Sequence, residues 1–222
     1  MRMNRTMRQQ FSIPKPDDRF ATDMLRHVAE KYGAPQCANL KVKVAHCGTR
    51  EGWMQVRSLA MQALDKKRLA KEYTKAPETD SSDSWEKVNF NLFQAVKQNT
   101  NTGEIVSASE NERKEQMVKH GLSDELADAL SQFDAVIFVN DRNVNLAYQA
   151  GQMFPLHGPV THECIHIIER RTGQHIISGF NPQQYHDPVS LAVLQEFIAK
   201  IGPDEFKRRY LTPETSKEKS KR

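Results

Sequence analysis

Pro159-Val160-Thr161-His162-Glu163-Cys164-Ile165-His166-Ile167-Ile168 is the stretch on which the reading of this chain turns. Residues four apart on a helix lie one above the other, so His162 and His166 share a face and can grip one metal ion. Glu163 is rotated by about 100° from His162. It can therefore reach a water on such a metal without being a ligand. Cys164, Ile165, Ile167 and Ile168 are apolar, as the packed faces of a buried helix need. Pro159 sits near the start and Gly173 just past the end, so the spacing predicts an active-site helix over 159–172. Imidazole nitrogens bind zinc at ~2.0–2.1 Å. A zinc-bound water has its pKa lowered toward ~7, and Glu163 is placed to take its proton as general base.

A third ligand is needed, and the neighbouring residues can be weighed. Glu169 shares the histidine face but stands ~10 Å along the axis from His162, too far to ligate. It suits a role behind His166, or that of a charged residue near the helix end. Glu196 falls opposite the apolar face formed by Leu191, Leu194, Phe197, Ile198 and Ile201, and should face solvent. His175 lies just past the helix stop and could fold back. Asp187 precedes Pro188 at the start of the next helix and could project inward, or could simply cap that helix. Asp187 and His175 stay open, with Asp187 ahead, so the expected metal set is His162, His166 and Asp187. Cys164 reads as a packed spacer, and Arg170-Arg171 as a solvated helix end that suits the dipole.

Outward from the motif, Ala135-Val136-Ile137-Phe138-Val139 is a strand-sized apolar run, expected near the cleft where an extended peptide could pair with it. Leu40 to Val44 and Val88 to Leu92 alternate like half-buried strands. Asn99 to Gly103 is a turn before a returning strand over 104–108. A helix is expected from Asp17 or Asp18 to Tyr32, stopped by Gly33 and Pro35. A second runs from near Glu51 to Lys71, with Trp53 and Val56 on its apolar face. Residues 110–132 read as helical with a break at Gly121 and a new cap at Ser123. Residues 76–84 are loop-like. Trp53 and Trp85 are expected as core anchors. The fold class is α+β: a small, mostly antiparallel sheet packed on helices. Residues 1–17 read as a disordered leader, 18–215 as a single domain and 216–222 as a disordered basic tail.

The chain has 222 residues, 38% hydrophobic and 27% charged, a net charge of +4 and a mean hydropathy of -0.70. No run approaches the ~18 apolar residues of a membrane span. The basic N-terminus has no apolar stretch behind it, so an ordinary secretory signal peptide is not expected. Three cysteines without a CxxC pair argue against a disulfide scaffold or a cysteine zinc ribbon. The positive charge sits largely in the two ends, so no nucleic-acid footprint is indicated.

The stretch around His162–His166, with its upstream strand and the Thr172-Gly173 stop, resembles the zincin metallopeptidases. More narrowly, residues 158–215 resemble the NleC type of bacterial secreted effector metallopeptidases. The matching features are Asp187-Pro188 leading into a helix, then Pro203-Asp204-Glu205-Phe206 followed by Tyr210. That resemblance implies one Zn2+ held by the two histidines, a nearby Asp and a Tyr. It implies a zinc-dependent endopeptidase made in the cytoplasm and delivered by a specialised system into a host cell. Its substrates would be host signalling proteins, notably NF-κB subunits. Tyr210 follows Phe206 by four residues, so the two can share a face, with Tyr210 directed to the cleft as a catalytic hydroxyl. A monomer with neither nucleic-acid nor membrane partner is expected. The rival readings are a catalytically inactive zinc-binding interaction module and a zinc hydrolase acting on a non-peptide substrate.

Overall fold

The apolar run at 135–139 forms a strand, Ala135–Asn140, buried at all six positions. The computed structural model describes residues 15–49, 51–53, 55–56, 90–140, 157–177 and 188–211. In chain order the elements are α1 (Asp18–Lys31), β1 (Val42–Cys47), β2 (Phe90–Phe93), β3 (Val96–Gln98), β4 (Ile105–Ser107), α2 (Glu110–Lys119), α3 (Asp124–Ser131), β5 (Ala135–Asn140), α4 (His157–Thr172), α5 (Pro188–Ile201) and α6 (Pro203–Phe206). A 3₁₀ turn at Pro35–Cys37 follows α1, and a π-helical turn at Lys207–Leu211 follows α6.

β5 is the middle strand of a three-stranded sheet in the order β1-β5-β2. It pairs parallel with β1 from Val42↔Ala135 to Cys47↔Asn140. It pairs antiparallel with β2 from Phe90↔Val139 to Phe93↔Val136. β3 and β4 make a separate antiparallel hairpin, Val96↔Ser107 to Gln98↔Ile105. The chain is thus a mixed helix-and-strand, α+β structure. The longest pairing is parallel, which alternation within single strands does not reveal. Both edges of β5 are taken, so the expected pairing of an extended peptide with this strand is corrected: no backbone edge is left there to receive one.

Alternate side chains on a strand point to opposite faces, and here each face meets its own core. Ala135, Ile137 and Val139, with Val42, Val44 and Leu92 beside them, pack on residues of α1, α4 and α5. Val136 and Phe138 pack on Trp53, Phe93, Met117, Leu122, Ala127 and Leu130. This two-faced burial explains why 135–139 reads as continuous apolar sequence. Trp53 and Val56 are buried on a helical segment, as expected of core anchors. Residues 57–71 of that expected helix, the loop at 76–84 and Trp85 lie outside the described residues.

Helix ends follow their sequence signals. Asp17 caps α1 by accepting the Phe20 N–H at 2.9 Å. Gly33, at φ 66°, lets the chain turn out of that helix where a side chain would be strained. Ser109 and Glu112 form a capping box on α2, and Ser123 caps α3. Within the expected leader, Pro16 and Asp17 make contacts with the fold. Pro16 is buried, and its carbonyl oxygen lies 3.1 Å from His46 Nε2. The remainder of the leader, 1–14, and the tail, 216–222, lie outside the described residues.

A polar junction sits at the start of β5. The Asp134 N–H donates to the Lys41 carbonyl at 2.8 Å, and Asp134 Oδ2 accepts the Lys41 N–H at 2.9 Å. Arg113 Nη1 lies 3.6 Å from Asp134 Oδ1. Arg171 Nη2 donates to the Asp134 carbonyl at 3.3 Å. Arg171 also donates to Gln94 Oε1 and Ser107 Oγ. It is only 8% exposed, so the expectation of a solvated helix end is corrected for this residue. A buried guanidinium is tolerable when several acceptors meet it. Removing the Asp134 carboxylate takes the acceptor from the Lys41 amide and the ion-pair partner from Arg113. A hydrogen bond to a charged group contributes ~1.5–3 kcal/mol. Asp134→Ala is expected to lower the melting temperature by roughly 5–10 °C, given ~2–4 °C per kcal/mol in a chain of this size. Asp134→Asn, which keeps one carbonyl acceptor, should lose less. Thermal unfolding by circular dichroism checks both.

Candidate functional site

α4 is buried nearly all round, with one face left open. Pro159, His162, Glu163, His166 and Arg170 are half-buried, whereas Val160, Thr161, Cys164, Ile165, Ile167, Ile168, Glu169 and Arg171 are buried. These five positions fall at helical spacing, i, i+3, i+4, i+7 and i+11, and so form one stripe; Thr172, the last residue of the helix, is half-buried as well. That stripe carries the whole of the HExxH motif. Cys164 is fully buried with its Sγ 3.6 Å from the Ala21 carbonyl, and burial pushes its thiol pKa up. It is a packed spacer, as expected.

The two histidine rings meet edge-on, with centroids 4.4 Å apart. Each has a protein group at Nδ1. His166 Nδ1 is 2.5 Å from Glu169 Oε2. The other oxygen of that carboxylate, Oε1, accepts the N–H groups of Ile176 and Ile177 at 2.7 and 2.8 Å. Burial alone would raise the Glu169 carboxyl, but the hydrogen bonds from His166 and the two amides outweigh it and hold it at about 2. Glu169 therefore stands behind His166, one of the roles its spacing allowed. His162 Nδ1 lies 3.4 Å from Ser190 Oγ, in the first turn of α5. Ser190 carried no signal in the sequence: a serine near a helix start reads as ordinary helix-start chemistry.

The remaining candidates are distributed as follows. His175 is exposed, in the segment whose next two amides bind Glu169. Asp187 lies outside the described residues; the helix that follows it is the one that brings Ser190 to His162. Glu196 faces solvent and pairs with Lys31 at 2.6 Å, as its place opposite the apolar face demands. Among the described residues, no third His, Cys, Asp or Glu joins the pair as a metal-holding group.

Tyr210 and Phe206 do share a face, with ring centroids 5.3 Å apart. Tyr210 also packs edge-on against Phe20 and tilted against Phe197. Its hydroxyl donates to Asp23 Oδ2 on α1 at 2.7 Å. Burial, then that hydrogen bond, raises the phenol pKa. His157, at the start of α4, joins the same aromatic cluster edge-on to Phe20 at 4.7 Å, and burial lowers its pKa to about 4. These contacts seat the first turn of α4 against α1 and the π-helical turn.

Comparison of the chain with family models, with curated proteins and with solved structures finds no match.

The placement of the Tyr210 hydroxyl sets a stability expectation. Tyr210→Phe keeps the ring and removes one hydrogen bond to a partly exposed carboxylate, a loss of ~1–2 kcal/mol. Asp23→Ala should cost a similar amount. The double variant should be less destabilised than the sum, because both changes delete the same contact. A double-mutant cycle in urea measures the coupling. Strict additivity would show that the hydroxyl contributes nothing through Asp23.

Proposed function

We propose that this protein is a zinc-dependent endopeptidase in which His162, His166 and Asp187 hold one Zn2+ and Glu163 is the general base. The observation that carries this reading is the open stripe of α4. A helix packed on its other faces leaves to solvent two imidazoles and a carboxylate in metal-site spacing. The donor set fits the ion. Both imidazoles lie on one face with rings in contact, and a carboxylate at His166 Nδ1 is the usual companion of a histidine that gives its other nitrogen to a metal. The first turn of α5 reaches His162 through Ser190, and in sequence Asp187 immediately precedes that helix.

A Zn2+ bound there supplies Lewis acidity to a water molecule and to a substrate carbonyl. The chain's own residues do the rest. Glu163 removes the proton from the attacking water and returns it to the leaving amine. Glu169 and Ser190 hold the rings at Nδ1, so the histidines need little reorganisation. A substrate approaches from the solvent side of α4, because the other faces are packed.

The class of substrate rests on the resemblance of residues 158–215 to secreted effector peptidases. On that basis we propose as substrate a signalling protein of a target cell, reached through a specialised secretion route.

The purified chain should contain about one zinc per molecule. Glu163→Gln should keep that zinc and lose hydrolysis, because the amide cannot take a proton. The deciding experiment is N-terminomics of cells exposed to the wild type or to Glu163→Ala. New protein N-termini that depend on Glu163 support the endopeptidase. Zinc retention without such termini supports a binding module or a hydrolase of non-peptide substrates.

The third ligand is tested separately. Asp187→Ala should weaken zinc binding by more than His175→Ala does, read by competition with a chromogenic chelator. Loss of zinc from His175→Ala alone would make the site a three-histidine one.

A further inference from the structure

We infer that, independently of any metal, His27 makes the seam between α1 and α5 an acid-sensitive joint: the neutral ring fills the seam, and the charged ring opens it.

His27 stands on the face of α1 that meets α5, its ring tilted against Phe197 with centroids 5.4 Å apart. Neither Nδ1 nor Nε2 is open to solvent, and no protein group is within hydrogen-bond reach of either. Buried polar side-chain atoms nearly always have a partner, so an imidazole with two bare nitrogens is unusual. In the neutral form the seam bears only unpaired polar atoms. In the charged form it must hold two N–H donors and a full charge with no acceptor.

The ring is rimmed by Glu30 and Lys31 from α1 and by Glu196 and Lys200 from α5. These groups pair across the seam as Lys31–Glu196 and Lys200–Glu30, both at 2.6 Å. One turn before His27, Asp23 is held by Arg26 at 3.0 Å and by the Tyr210 hydroxyl at 2.7 Å. Each nearby carboxylate therefore already has its partner, and the rim of two cations and two anions sums to zero. Burial, then the Lys200 ammonium, lowers the His27 pKa against the pull of Glu196 and Glu30, and Lys31 adds to the lowering.

A proton on His27 can be accommodated in two ways. The ring swings out to water, which breaks its packing on Phe197, or it draws Glu196 or Glu30 away from a lysine. Either course removes a contact that joins the two helices. α5 also carries Ser190 to His162, so an opened seam unseats the helix that reaches the candidate site. An imidazole in water titrates at ~6.5, and the ring in the closed seam titrates lower. The open seam therefore takes up a proton that the closed seam refuses. Closure is fully favoured above the ordinary imidazole range and weakens as pH falls below it.

The experiment is amide hydrogen exchange of the full chain by NMR at about pH 7.5 and about pH 5.5, corrected for the intrinsic rate. In the wild type, protection of the α5 amides is expected to fall by up to ~10-fold, the factor one imidazole imposes over that span. Those amides should be less protected than the ones in β5, as a local opening requires. His27→Phe keeps a ring against Phe197 and takes no proton, so its α5 protection should change by less than ~2-fold. The other histidines, including His157 with its low pKa, are common to both proteins and cancel in the comparison.

An equal fall in both proteins overturns the inference, and so does wild-type protection that is flat with pH. Equal protection of α5 and β5 at both pH values would make the event global unfolding and overturn the joint. If His27→Phe does not fold, the wild-type ring decides by 1H–13C NMR. Titration at or above the ordinary range would mean that a carboxylate receives the charged ring inside the seam, and the inference fails. Titration below that range, with loss of α5 protection on acidification, sustains it.

Discussion

The structure depends on one strand that has no free surface. β5 is paired on both edges and packed on both faces, so every neighbour must conform to it. Its parallel partner β1 is fixed in register at Asp134, where a backbone amide and a carboxylate oxygen both meet Lys41. A one-residue slip would send Ile137 and Phe138 to the wrong cores, and the side-chain period of two makes that an all-or-none error. The polar clamp at one end and the two cores along its length act on the same register.

The site follows from how α4 meets that strand. Val160, Cys164, Ile165, Ile167 and Ile168 enter the core shared with Ala135, Ile137 and Val139. Arg171 anchors the last turn to Gln94, Ser107 and Asp134. At the first turn, His157 and the Phe20–Phe206–Tyr210 rings hold the helix to α1 and the π-helical turn. With both ends fixed, α4 cannot rotate, and the half-buried stripe that remains is the one bearing His162, Glu163 and His166. The exposed pairs Lys31–Glu196 and Lys200–Glu30 link α1 to α5 but contribute little, since both members stay in solvent. Phe197, packed on Phe20 and Tyr210, does more to hold α5 in place.

Local patterns carried the elements, and long-range chemistry did not show in them. The alternation of Val42 and Val44, a cap at Asp17 or Asp18, the Ser123 start and the apolar run at 135–139 all read correctly, because each is decided by neighbours within a turn or two. Partners across the chain leave no such trace. Nothing within reach of Arg171 in sequence reveals that Gln94 and Ser107 await it. Nor does the strand at 135–139 reveal which edges are filled. Of the candidate site, the shared stripe of His162, Glu163 and His166 was legible because helical spacing decides it, while Glu169 was left between two roles. The site was illegible at Ser190, whose relevance comes from the docking of a second helix, and at Tyr210, whose hydroxyl finds Asp23 at the opposite end of the sequence.

The stability terms at Glu169 also bear on why a glutamate stands there. Two backbone amides could be met by a neutral carbonyl or by a water, without the desolvation that a buried anion brings. A hydrophobic residue at this position would spare that desolvation but leave the Ile176 and Ile177 amides without their acceptor. The carboxylate is tolerated because the groups around its two oxygens offset its burial. Its two oxygens thus tie the end of α4 both to the segment that follows it and to the His166 ring. Glu169 stands one turn beyond His166, so the contact is local to α4 while the two amides it binds lie beyond the helix end.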